Sequence, residues 1–176
     1  MNPKLRIKKT ATLVICPAAL GGTLSCPSNA TAAVTDQDKQ FLVLAAQSDF
    51  DEIKLSQLAE SRAANPLVKS FAHEMVTDHT NLEAKMKPFA TAWGITPPTS
   101  LDPDHQAIYD KLITLSGADF DKAYMDAMAA DHHKALEAFT KEAETTTDPE
   151  FKTAVTSGKS VVAAHTSMAD DLKSKL

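Results

Sequence analysis

Four ionisable residues fall on rows that are otherwise apolar or small. The stretch FAHEMVTDHTNL, residues 71–82, sets His79 in the row Val68, Ala72, Met75, His79, Leu82, Met86, Phe89, Trp93. Its steps alternate four and three, the spacing of a buried helical stripe. The row Phe41, Ala45, Ser48, Glu52, Leu55, Ala59 carries Glu52. His132 lies in Met125, Met128, His132, Ala135, Phe139, Ala143, and His165 in Phe151, Val155, Gly158, Val162, His165, Ala169, Leu172. Three imidazoles and one carboxylate, if they converge, suit a single transition-metal ion such as Zn, Cu or Fe. Met75, Met128 and Met168 fall within a turn of these histidines, and thioether sulfur would tilt the choice toward copper. Asp51, Asp78 and Asp131 each immediately precede a candidate ligand. Residues one apart on a helix do not face each other, so these acids are placed to orient histidines on adjacent helices.

A second reading stays open beside the metal. A buried polar layer can fix helix register with no ion, its members satisfying one another, as His⁺ beside Glu⁻ would. Methionine at helical spacing also fills gaps in a core. His133 lies about 100° round from His132 and reads as a half-exposed neighbour, while His73 and His105 read as surface residues.

Four long helical segments must position these residues, because no stretch alternates with period two over a strand's length. Segment one runs from about Asp36 to Ala64, and segment two from Asn65-Pro66, a cap and a first-turn proline, to Gly94. ITPPTSLDP breaks the chain before a short helix over about Pro103 to Leu115; segments three and four cover about Asp119–Glu144 and Pro149–Lys175. The predicted fold is all-α: a ferritin-like four-helix bundle with a short extra helix in the crossover between helices two and three. Glu52 lies 13 residues before Asn65 and His79 lies 14 after it, so the first hairpin sets them level. His132 and His165 flank the second turn, near Thr147, at about 15 and 18 residues, so the two pairs share a layer to within roughly 4.5 Å. Pro88, inside segment two, is expected to kink that helix or mark a break in it.

Residues 1–32 carry a basic start (Lys4, Arg6, Lys8, Lys9), the apolar run ATLVICPAALGGTL and a small, polar end with Ala30-Thr31-Ala32. This is the pattern of a secretory signal peptide, which leaves 33–176 as one bundle domain exported to the periplasm or the extracellular space. A lipid anchor at Cys26 is the minor alternative. Loss of the leader takes the formal charge from −5 to −9, 14 Lys and Arg against 23 Asp and Glu. An acidic exported domain is a poor partner for nucleic acid. No later stretch is apolar enough for a transmembrane helix, which leaves peripheral association with the envelope, or an unidentified protein partner.

Catalytic patterns are sparse. There is no Glu-x-x-His for a di-iron centre, no His-Glu-x-x-His, no G-x-S-x-G and no phosphate loop. The chain therefore leans toward binding and away from turnover.

SDFDEIKLSQLAESRAANPLVKSFAHEMVTDHTNL, LSGADFDKAYMDAMAADHHKALEAF and AAHTSMADDL resemble the bacterial family called domain of unknown function 4142, exported proteins often labelled as outer-membrane proteins. The resemblance covers essentially the whole of 33–176. It implies a ferritin-like bundle, an export compartment, and Glu52, Asp78, His79, Phe120, Asp121, Tyr124, His132 and His165 as family-pattern positions. Asp121 and Tyr124 thereby join the residues expected near the site. The family's activity is unsettled, so no chemistry follows from the resemblance.

Overall fold

The computed structural model describes residues 33–176; the expected leader over residues 1–32, and Cys26 as an alternative anchor, lie outside the described residues. Five helices follow in order: α1 Asp36–Arg62, α2 Pro66–Trp93, α3 Pro103–Leu112, α4 Gly117–Thr145 and α5 Pro149–Lys173. Their starts are written locally. Thr35 and Asp38 form a reciprocal capping box at α1. Asn65-Pro66, Asp102-Pro103 and Asp148-Pro149 each pair a capping side chain with a first-turn proline. Gly94 ends α2 with φ +69°, a left-handed turn that a side chain would strain. The helix runs on through Pro88, so no break occurs there.

Contacts between aromatic rings give the helix directions. Phe41 at the start of α1 meets Phe139 near the end of α4 and Phe151 at the start of α5, and Trp93 at the end of α2 also meets Phe151. One end of the bundle thus collects the starts of α1 and α5 with the ends of α2 and α4. Helices α2 and α4 run parallel, and residues 94–116 must return along the whole bundle. They do so beside α1: Gln47 donates to Ser100 O at 3.1 Å, Asp102 N donates to Asp51 at 3.2 Å, and Arg62 donates to Ile113 O at 2.7 Å. This is the ferritin-like crossover, with α3 laid against α1 and α4.

The core has two apolar clusters with a polar layer between them. One holds Phe41, Leu42, Met86, Phe139, Phe151, Val155 and Val162. The other holds Leu55, Val68, Phe71, Met75, Phe120, Tyr124, Met125 and Met128. In the first, Gly158 lies so close to α4 that an added Cβ would stand 2.5 Å from a Phe139 ring carbon. No described helix is long and apolar enough to cross a membrane.

Candidate metal centre

The layer between the clusters is made by Glu52 of α1, His79 of α2, His132 of α4 and His165 of α5, all at most 2% exposed. The three imidazoles form a near-equilateral triangle, with ring centroids 5.6, 5.2 and 5.4 Å apart. One nitrogen from each lies within 4.8 Å of the others. Glu52 Oε2 joins them, 2.8 Å from His79 Nε2 and 3.7 Å from His132 Nε2. The two tight turns, counted outward from Asn65 and from the α4–α5 turn, place these four residues at one height.

Each ring is held from behind. His79 Nδ1 lies 2.8 Å from Asp49 Oδ1, His132 Nδ1 donates to Met128 O at 2.8 Å, and His165 Nε2 lies 3.1 Å from Asp78 Oδ2. Carboxylates and carbonyls only accept, so each outward nitrogen carries the hydrogen and a neutral ring turns a lone pair inward. Ser48 holds the other Glu52 oxygen at 3.4 Å. The four inward atoms, Glu52 Oε2, His79 Nε2, His132 Nε2 and His165 Nδ1, are buried without a hydrogen-bond partner. The short Glu52–His79 approach is that of an ion pair, lacking the alignment of a hydrogen bond.

The electrostatics are strongly coupled. Burial by itself would raise Glu52, but the charges of His79 and His132 outweigh it and hold the carboxyl at about 2. Burial opposes the His79 imidazolium, yet Glu52 and Asp49 keep its proton on, up to about 10. Burial and then the His79 charge push His165 down to about 4, and burial raises Asp49 to about 6. A single proton on His79 therefore satisfies much of the layer, and an ion would have to displace it.

The surrounding residues divide. Asp78 reaches across to a histidine on the adjacent helix, as its position predicts. Asp131 does not serve the core: it points to His105 Nε2 at 3.3 Å and to Lys134 at 3.1 Å. Asp121 also lies away from the layer, accepting from Ala64 N and Asn65 N at 2.9 and 2.7 Å and so capping the α1–α2 turn from α4. Tyr124 shares a 2.8 Å hydrogen bond with Ser56 inside the cluster of Leu55, Phe71 and Met75. Met75 and Met128 are buried in that cluster, while Met168 is only half-buried against it. His73 is exposed beside Glu60, and His133 is exposed beside Asp170.

His105 is not a surface residue. It is 16% exposed and has Asp51, Asp102 and Asp131 around its ring, because the crossover folds α3 back onto α1 and α4. Asp49 was missed altogether: the sequence row runs through Ser48, whereas the buried side is Asp49. Its signal is an acid one turn before Glu52, on the same face of the helix.

The chain belongs to the family described as "Domain of unknown function (DUF4142)", whose model matches residues 23–172. Among curated proteins, none matches the sequence. Solved structures share the fold. A DUF305 fragment from Deinococcus radiodurans superposes with TM-score 0.71 at 17% identity, covering 81% of this chain and 98% of that one. CopM in its Cu(II)-bound form gives 0.66 at 19% identity, over 78% of this chain and 96% of CopM. The Ag-bound form of CopM gives 0.65 at 20% identity, with the same coverage of both chains.

Proposed function

We propose that this protein is an exported four-helix bundle that binds one transition-metal ion in its core through Glu52, His79, His132 and His165, holding or buffering the ion without turnover. The observation that carries this reading is the set of four buried inward atoms without hydrogen-bond partners, one from each long helix. Buried polar atoms without a hydrogen bond are costly, His132 Nε2 and His165 Nδ1 above all, since Glu52 and His79 at least form an ion pair; three imidazole nitrogens with one carboxylate oxygen are a donor set for Cu(II) or Zn(II). The charges agree: a divalent ion would meet Glu52 directly and Asp49 behind His79, two buried carboxylates. Structures of CopM with Cu(II), Cu(I) and Ag lend support through the shared fold. Export rests on the leader pattern of residues 1–32.

Residues 33–176, purified without chelator, are expected to carry close to one equivalent of metal by elemental analysis, and His79→Ala to remove it. Metal-free protein that also ignores added Zn²⁺ and Cu²⁺ overturns the proposal. A specific observation favours the alternative, a metal-free layer that fixes the bundle: His79 stands 2.8 Å from both Asp49 and Glu52, a place a proton fills as well as an ion. That alternative requires a melting temperature unmoved by metal.

A further inference from the structure

On the outer side of the same layer, the residue before Glu52 and the residue before His132 turn away from the core to a second constellation. Asp51 Oδ2 and Asp102 Oδ1 lie 3.3 and 2.9 Å from His105 Nδ1. One ligand atom from each of the three falls within 4.8 Å of the others. Asp131 Oδ2 stands 3.3 Å from the other ring nitrogen, Nε2. Carboxylate behind and bare nitrogen in front is the arrangement of Asp49 and His79 in the core, and it prepares an imidazole for a metal. Asp51 is fully buried and Asp131 is 9% exposed, yet Asp51 Oδ2, His105 Nδ1 and Asp131 Oδ2 all lack hydrogen-bond partners.

We propose that Asp51, Asp102 and His105 form a second cation site, where the crossover seals the bundle, for a divalent ion that accepts oxygen and nitrogen ligands. Two carboxylates, one imidazole and no sulfur suit Zn²⁺ or Mn²⁺ and disfavour Cu⁺ or Ag⁺. The site opens on a groove of about 280 Å³ between α1, α3 and α4, which leaves room for water to complete the coordination of a bound ion. Asp51 is held in place by Gln47 at 3.0 Å and by Asp102 N at 3.2 Å, which pre-orients its free oxygen. The competing occupant is a proton: the carboxylate of Asp131 beside Nε2, with that of Asp102 beside Nδ1, holds His105 up at about 9.

The test is a calorimetric Zn²⁺ titration of chelator-treated residues 33–176 beside Asp102→Asn, His105→Gln and His79→Ala. Asparagine caps a helix as well as aspartate does, so Asp102→Asn removes ligand charge and leaves α3 its cap. Two equivalents are expected for the wild type. The second should be lost in His105→Gln and weakened at least about tenfold in Asp102→Asn, and should persist in His79→Ala. A wild type that binds one equivalent, lost in His105→Gln and kept in His79→Ala, supports this site and overturns the core centre. No binding overturns this site, as does binding that neither crossover variant changes.

Discussion

Asp78 on α2 and His165 on α5 couple the surface to the core: the carboxylate, 37% exposed, lies 3.1 Å from the outward nitrogen of an imidazole that is 1% exposed. The pair fixes which His165 nitrogen faces inward. Asp78→Ala should therefore weaken metal binding by about 10–100-fold while the bundle stays folded. A competition titration against a coloured chelator measures the first, and circular dichroism the second.

Without metal, the Glu52–His79 pair makes stability depend on pH. Glu52 drops from 4.5 to about 2 on folding, so its contribution is complete above pH 4.5 and vanishes as pH falls through about 2. His79 rises from 6.5 to about 10, so its contribution is complete below pH 6.5 and disappears as pH rises through about 10. The melting-temperature gap between chelator-treated wild type and Glu52→Gln should be widest between pH 4.5 and 6.5, the two ordinary values. A gap that is flat, or that widens above pH 8, counts against the pairing.

Gly158→Ala tests the close approach of α5 to α4. The new methyl would sit 2.5 Å from the Phe139 ring, and such overpacking costs about 1–3 kcal/mol. Urea denaturation should show that loss, and Phe139→Leu in the same chain should recover part of it, since neighbours are not additive.

Phe151→Ala separates stability from the centre. Phe151 is fully buried and meets Phe41, Phe89 and Trp93 at ring-centroid distances of 6.0, 5.1 and 4.6 Å. Its truncation should cost about 3–5 kcal/mol with metal stoichiometry unchanged, both read from one preparation.

The elements and the shared height of Glu52, His79, His132 and His165 follow from local rules. Asx-Pro starts fix where helices begin, and tight turns make residue counting a measure of height. His105 falls in step with Ile108, Leu112 and Leu115, a short stripe over α3 and the turn after it that packs on the core, so its burial had a periodic signal; which acids it meets depends on the path of the crossover, which local rules do not give. Asp49 escaped for a subtler reason. Ser48 and Asp49 straddle the edge of the α1 stripe, and the slow drift of a real helix against a strict heptad decides which one turns inward. Asp121 looked like part of the site, but the family pattern marks positions and leaves their tasks unstated, and this one ties a turn.

The polar layer lies between two plugs of aliphatic and aromatic packing, with Met75 and Met128 on one side and Met86, Phe139 and Phe151 on the other. Nothing charged travels down such an axis. An ion or proton bound for His79 would have to enter sideways, through a transient parting of neighbouring helices. The residence time of any ion held there would then be set by how often the bundle breathes, and a tighter scaffold would be a slower one to load and empty.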